Sequence, residues 1–375
     1  MNIIDLFSGV GGFSLGASYA GFNVAAAFDN DSITLSTHKK NFPSTQHYEV
    51  DINNLPSIRS LVNFDEITGI IGGPPCQGFS SMGHRNVDDI RNTAFNSFFR
   101  LVEQENPSFF IAENVPGILQ PQYDCLREKA INLVENNFLL LEPCEVIAHR
   151  LGVPTTRTRI LFIGFNRELF ATHPPVSSFE PSESVFIAKV KDALGGLPSP
   201  VAVENPHEDV WLKVKRKTNP YLRLLTREPP SGVGDPNVVS KFRKGILSGF
   251  PETKHTLSVS ERFSSLEQGC RDPVSRANRL SIDGFAPTLR AGTGSDRGSF
   301  QALRPIHPIE PRVITPREAA RLQGFPDWFY FHPTKWHAFR QIGNSVSPIV
   351  SEHILNVVRE LIEEAQNQNV EEAIA

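Results

Sequence analysis

Four short stretches join reactive side chains to backbone that can present them. Gly72–Ser80 reads GGPPCQGFS, with the Cys76 thiol just beyond an apolar run. Two prolines stiffen the approach and glycines flank it. Positive charge or a helix N-terminus nearby would lower the pKa of such a thiol and make it a nucleophile. A buried structural cysteine is the alternative, and the Pro-Pro-Cys-Gln setting favours the reactive one. Ala112–Gly117 reads AENVPG, with Glu113 ending a second apolar run. A carboxyl beside a pocket moves protons when burial raises its pKa; a strand-end ion pair is the plain alternative. Gly152–Phe165 reads GVPTTRTRILFIGF, and its alternation puts Arg157 and Arg159 on one face of a strand. Two planar forks suit an anion or a carbonyl oxygen, and equally a surface salt-bridge network. The fourth stretch, Asp5–Gly16, reads DLFSGVGGFSLG. Glycines after a strand let a ligand approach the backbone at an electropositive helix start. Asp29, about 20 residues on, suits an acceptor for ribose hydroxyls. A nucleotide-binding oxidoreductase would share this last pair of features.

The elements that must position these groups alternate. Asn2–Phe7, Asn23–Phe28, Ile67–Ile71 and Phe109–Ala112 read as short buried strands, with helical patterns between them such as Ala94–Glu105. This implies an α/β fold with a doubly wound parallel sheet, whose ligands bind at the carboxyl ends of the strands. After Asn166 the rhythm breaks and prolines crowd, to about Pro311. That stretch reads as a second, smaller irregular domain. Ile314–Asp327, ITPREAARLQGFPD, then starts as a Thr-capped helix with an early proline. Gln341–Pro348, QIGNSVSP, leads into a C-terminal helix near Ile349–Glu364, and Asn344 can hold its turn or a ligand. The tail, Asn367–Ala375, is expected to fray.

Composition bounds the class. The chain has 375 residues, enough for two domains. Cys76, Cys125, Cys144 and Cys270 are scattered without metal-ligand spacing, so no metal is expected and the thiols suit a reducing, cytoplasmic setting. There is no basic stretch before the first apolar run and no apolar run of about 18 residues, so neither a signal peptide nor a membrane span is expected. The net charge is −4, yet Trp211–Arg304 holds 17 Lys/Arg against 8 Asp/Glu. A local excess of this kind serves as a phosphate footprint or is simply a basic surface.

In this order, DLFSGVGGF, PPCQGFS, ENV, RTR, REAARLQGFPD and GNSV resemble the carbon-5 cytosine DNA methyltransferases of restriction–modification systems. The motifs cover nearly the whole chain except its middle. The resemblance implies a Rossmann-like domain that uses S-adenosylmethionine, spanning 1–175 and 328–375, with the C-terminal helix returning to it. A target-recognition domain at 176–327 would close a cleft for double-stranded DNA. It implies a monomeric modification enzyme, with a restriction endonuclease of the same site as a natural partner. Carried over by motif, Cys76 is the nucleophile, Glu113 protonates ring nitrogen 3, and Arg157 and Arg159 hold the flipped base or polarise its carbonyl oxygen. Phe7, Ser8, Gly9, Gly11, Gly12, Asp29, Asn30, Asp51, Ile52, Pro75, Asn344 and Val346 form the cofactor pocket. Gln77, Ser80, Arg223, Arg243, Arg262, Arg276, Thr288, Leu289, Arg290 and Arg297 are candidates for DNA contact; Thr288-Leu289 matches a Thr-Leu pair of the family's recognition region. Three positions depart from the usual pattern: Asp29 stands for Glu, Asn30 for a bulky apolar residue, and Thr155 for Gln.

Rival readings differ in their chemistry. An oxidoreductase would not need Pro-Pro-Cys, Glu-Asn-Val and the arginine pair together. A catalytically dead DNA-binding relative would usually have lost Cys76 or Glu113. Methylation of an exocyclic amine needs no thiol and uses an Asn/Asp-Pro-Pro-aromatic signature that is absent. An RNA-methylating enzyme of the same family stays open.

Overall fold

The amino-terminal run of the chain is laid down as β1 (Asn2–Leu6), α1 (Gly12–Tyr19), β2 (Asn23–Asp29), α2 (Ser32–Asn41), β3 (Gln46–Glu49), β4 (Ile67–Gly72), α3 (Thr93–Glu105) and β5 (Phe109–Asn114). It continues with α4 (Asp124–Val134), β6 (Phe138–Leu140), β7 (Cys144–Ile147) and β8 (Thr158–Asn166). The computed structural model describes residues 1–63, 66–75, 93–181, 184–205, 207–215, 217–292 and 304–374. Cys76, Gln77, Ser80 and Arg297 lie outside the described residues.

The sheet has the order β3-β2-β1-β4-β5-β8-β6, with β7 also paired to β8. Pairing is parallel from β3 to β5 and antiparallel where β8 meets β5, β6 and β7. The helices α1, α2 and α3 lie on the crossovers that parallel pairing requires. β6 and β7 sit end to end along β8, joined by three residues, too few for a crossover. The sequence rhythm therefore describes the parallel part and not this antiparallel edge.

Alternation along the strands separates two cores. Ile4, Ile70 and Phe110 face α3 and α4, packing with Phe95, Phe98, Phe99 and Val134. Ile3, Ile71 and Phe109 face the other way, against Phe13 and Ala17 of α1. Ile354, Leu355, Val358 and Ile362 complete that second core. They come from the last helix, which spans Pro348–Ile374 rather than fraying after Gln366. Its end, EEAQNQNVEEAI, is rich in Ala, Glu and Gln, which lose little on entering a helix.

The middle region holds short elements: α5 (Val190–Leu194), β9 (Trp211–Lys213), α6 (Pro220–Leu225), α7 (Pro236–Arg243), β10 (Ile246–Ser248) and α8 (Leu257–Ser265). Then come α9 (Pro316–Leu322), α10 (Lys335–Asn344) and the last helix, α11. β9 and β10 form a two-stranded antiparallel ribbon. α9 has the Thr cap read from sequence, here completed to a capping box: Thr315 accepts from the Glu318 amide, and Glu318 accepts from the Thr315 amide. A third core joins Tyr221, Leu222, Phe242 and Phe250 to Leu322, Trp328 and Phe329, and includes Val10, Leu15 and Phe42 from the first half.

Candidate active site

β1 and β2 end side by side, and the loop after β1 folds over that edge. Phe7 takes φ 58° and Gly9 φ 56°. The Gly9 amide donates to Asp29 Oδ2 at 2.8 Å, and the Asp31 amide donates to Oδ1 at 2.9 Å. Asp29 thus ties the loop to the end of β2. Burial raises the pKa of its carboxyl, and the Asp31 and Gly9 amides oppose that rise. Among the described residues, a Cβ at Gly9 would meet nothing within 4 Å, so the loop has an open face toward them. The Ser8 hydroxyl is buried without a hydrogen-bond partner among the described residues. An open face, an orphaned hydroxyl and a desolvated carboxylate fit a nucleoside with ribose hydroxyls to donate. Asp51 caps the 3-10 turn Ile52–Asn54, with Ile52 buried and Asn30 exposed beside Asp29.

Glycines at the start of α1 bring the far end of the chain to this loop. A Cβ at Gly12 would lie 2.2 Å from the Val346 carbonyl oxygen, and at Gly16 1.8 Å from Ser351 Oγ. Ser351 Oγ donates to the Gly12 carbonyl at 3.1 Å. The Asn344–Val346 turn is therefore packed on the glycine loop, with Asn344 exposed.

The second part of the site forms where β4 and β5 end. Glu113 is 7 % exposed and forms an ion pair with Arg159 Nε. A Cβ at Gly73 would lie 3.3 Å from Glu113 Oε2, and Asn114 Nδ2 donates to the Pro74 carbonyl at 3.5 Å. Glu113 therefore faces the segment that runs through Pro74 and Pro75 to Cys76. Arg157 lies just before β8 rather than within it. It is 3 % exposed and donates through Nη1 to the Gly343 carbonyl at 2.9 Å. The two arginines hold different partners: Arg159 orients the acid, and Arg157 ties the arginine segment to the end of α10. Among the described residues, no group of His, Cys, Asp and Glu could hold a metal ion, and no helix is long and apolar enough to cross a membrane.

A family model described as C-5 cytosine-specific DNA methylase matches residues 1–360. This chain belongs to that family. The methylase is 38 % identical over 359 residues to Type II methyltransferase M.XorII of Xanthomonas oryzae, covering 93 % of this chain and 82 % of the relative. It is 32 % identical to Type II methyltransferase M.DdeI of Desulfomicrobium norvegicum, covering 94 % and 87 %. A crystal structure described as a DNA modification methyltransferase encoded within an E. coli prophage aligns with TM-score 0.87 and 45 % identity, covering 97 % and 99 %. The S. pombe Dnmt2 structure shares the fold, with TM-score 0.62 at 17 % identity. The protein is a DNA cytosine methyltransferase with the mixed, parallel-dominated α/β fold of these neighbours.

The methylase's candidate DNA contacts separate by environment. Arg243 pairs with Glu228 at 2.8 Å and Arg262 with Asp272 at 2.8 Å, so both carry internal ion pairs. Arg223 is exposed on α6, and Leu289 is buried in the third core. Arg276, Thr288 and Arg290 line a cavity of about 340 Å³ together with Arg271, Asn278 and Arg304. Arg276 is held at φ 63°, a strained backbone for a non-glycine residue. The stretch that carries Thr288 and Arg290 packs by its backbone on the arginine segment and the end of α10. Thr156 N donates to the Ala286 carbonyl at 2.9 Å, and a Cβ at Gly343 would lie 2.7 Å from Ala291 N. Sequence reasoning did not single out Arg271, Asn278 or Arg304. The basic excess was the only signal for the two arginines and does not reveal that they converge; Asn278 had none.

Proposed function

We propose that this enzyme flips a target cytosine out of duplex DNA and methylates its carbon 5 through a covalent adduct with Cys76. The observation that carries this reading is Glu113, oriented by Arg159 and facing the backbone that runs into Cys76. Carbon 5 of cytosine is a poor nucleophile. Addition of the Cys76 thiolate to carbon 6, with Glu113 delivering a proton to nitrogen 3, turns the ring into an enamine that is nucleophilic at carbon 5. Arg159 stabilises the charge that develops at the carbonyl oxygen. S-adenosylmethionine, when bound, supplies an electrophilic methyl group on a sulfonium. A base, for which bound water is the candidate, takes the carbon-5 proton, the thiolate leaves carbon 6, and Glu113 recovers the nitrogen-3 proton. The target atom is out of reach in the duplex, so flipping comes first, at a cost of about a few kcal/mol.

Phe7, Ser8, Gly9 and Asp29, with Asn30, Asp51, Ile52, Pro75, Asn344 and Val346 around them, would hold the cofactor. Asp29 is the residue suited to the ribose hydroxyls. Residues 1–175 and 328–375 would supply the chemistry and 176–327 the recognition of DNA, with the cavity of Arg276, Thr288 and Arg290 on the DNA side. The likeness to Type II methyltransferases supports a modification enzyme with a partner endonuclease for the same site. Bisulfite sequencing of DNA from a host expressing the protein tests the reading. Protected cytosines at one recurring site are expected, and none with Cys76→Ala. Methylated adenine with unprotected cytosine would overturn it, and methylated tRNA with unmodified DNA would favour the RNA branch.

A further inference from the structure

Beneath the glycine loop runs a buried polar chain that the chemistry above does not use. Asp5 on β1 is 1 % exposed and precedes Phe7 by two positions. Ser14 Oγ, on α1, lies 2.6 Å from Asp5 Oδ2 and 3.1 Å from His38 Nε2. His38 Nδ1, on α2, lies 2.9 Å from Nε2 of His47 on β3. Asp5, Ser14 and His38 are buried, and His47 is half-buried. The chain therefore leads from the surface at His47 to the strand end that carries the loop.

Each link can be made in two senses. With Asp5 ionised, Ser14 Oγ–H donates to the carboxylate, His38 Nε2–H donates to Ser14, and His47 Nε2–H donates to His38 Nδ1. With Asp5 protonated, its O–H donates to Ser14, Ser14 donates to His38 Nε2, and His38 Nδ1–H donates to His47 Nε2. Going from the first to the second, one proton enters at His47 Nδ1 and every other proton moves one link. The net change is one proton gained and one negative charge lost at Asp5. Neither histidine has to become a cation: burial holds His38 well below the ordinary histidine range and lowers His47 to about 4. Burial raises Asp5 to about 7; the Ser14 hydrogen bond opposes that rise and the charge of Asp29 adds to it. Of the elements packed around Asp5, β2 brings Asp29 and α2 brings His38, while Lys39 bears on His47. β4 carries no titratable side chain, and α1 carries only Tyr19.

We infer that Asp5 is a positioning residue that reads the charge of the methyl donor, favouring the sulfonium over the neutral thioether product, and that it exchanges its proton with solvent along Ser14, His38 and His47. The inference rests on the assignment of the Phe7–Gly12 loop to S-adenosylmethionine. Donor and product differ by one methyl group and one positive charge, so a carboxylate behind the loop discriminates between them through that charge. A nearby cation lowers a carboxylate pKa by roughly 1–3 units. Asp5 is then ionised in the donor complex near neutral pH and takes up a proton when the cation is gone. Donor affinity is lowest where Asp5 is protonated in every state, rises between the pKa of the donor complex and that of the free protein, and levels off above it. Product affinity stays flat.

Calorimetric titration of the full chain with S-adenosylmethionine and with S-adenosylhomocysteine, across neutral pH and in buffers of different ionisation enthalpy, tests this. One pKa unit of difference between the complexes gives about a fivefold rise in donor affinity between about pH 6 and pH 8, about tenfold over the full titration, with product affinity constant within about twofold. Donor binding is expected to release protons near neutrality, and product binding to release none. Asp5→Asn should abolish both the rise and the release. Ser14→Ala removes a bond that favours the ionised form, so it should move the rise to higher pH. The same pH dependence in wild type and Asp5→Asn overturns the inference. So does equal proton release for the two ligands, a comparison made on wild-type protein alone. If neither ligand binds at any pH, the cofactor assignment falls with it; if both bind without pH dependence, only the inference falls.

Discussion

Glu113 and Asp29 are both strand-end carboxylates, and their surroundings give them different work. Glu113 meets an arginine and faces the segment leading to Cys76. Asp29 accepts two backbone amides and holds the glycine loop. Glu113→Gln keeps the shape and removes the proton, so the methylation rate should fall by roughly 100-fold to 10,000-fold, with donor affinity nearly unchanged. Rapid-quench rates beside calorimetric donor titration check this; lost donor binding with surviving chemistry would place Glu113 in the cofactor pocket. Asp29→Ala should weaken donor binding at least about tenfold, since each bond to a buried charged acceptor contributes about 1.5–3 kcal/mol. Part of that loss would come from the freed loop, so Asp29→Asn, which keeps an acceptor, should lose less. Cys125, Cys144 and Cys270 stand apart from this chemistry: two are exposed, and burial raises the pKa of Cys144. Serine at any of the three should leave substantial activity.

At the scale of elements, what the sequence revealed and what it hid have a common cause. β1, β2, β4 and β5 were legible because buried parallel strands read as continuous apolar runs, and α9 because its Thr cap and early proline are local. The antiparallel pairing of β8 was not legible, since β6 and β7 are only three and four residues long. The placement of Arg157 was hidden for a related reason. Strand periodicity puts Arg157 and Arg159 on one face, but β8 begins at Thr158, and Arg157 turns instead to the Gly343 carbonyl. The Asp5–His47 chain links β1, α1, α2 and β3, and no local pattern marks it. The close approach of α1 to α11 gives a stability test. Gly16→Ala would put a methyl 1.8 Å from Ser351 Oγ and 2.5 Å from the Glu352 amide. Overpacking of this kind costs about 1–3 kcal/mol, and Ser351→Ala should recover only part because the backbone contact remains. Urea denaturation midpoints of the single and double variants would show it.

For the whole molecule, the issue is how a chain of net charge −4 grips DNA. The basic excess of Trp211–Arg304 is partly spent internally, on Glu228 by Arg243 and on Asp272 by Arg262. Among the described residues, Arg276, Arg290 and Arg304 have no carboxylate partner, and all three line one cavity beside the arginine segment. Arg290→Ala and Arg276→Ala should therefore weaken DNA binding more than Arg243→Ala. A phosphate contact should lower the salt slope by about 1 for every sequence, whereas a base contact should cost about 1–3 kcal/mol and relax one position of the site. Equal losses at Arg243 and Arg290, measured across a salt series, would remove the cavity from the DNA interface. Exchange of residues 176–327 for those of a relative should change which cytosine is methylated and leave donor affinity unchanged.

A covalent bond between Cys76 and carbon 6 of a flipped cytosine can be trapped in one experiment. Duplex DNA carrying 5-fluorocytosine at the modified position is incubated with the full chain and S-adenosylmethionine, and the denatured product is digested and sequenced by mass spectrometry. Fluorine cannot leave carbon 5 as a proton does, so the adduct should accumulate, depend on the methyl donor, and map to the peptide containing Cys76. Methylation of ordinary cytosine by the same preparation with no adduct on the fluorinated duplex, or an adduct on any other residue, would contradict the account.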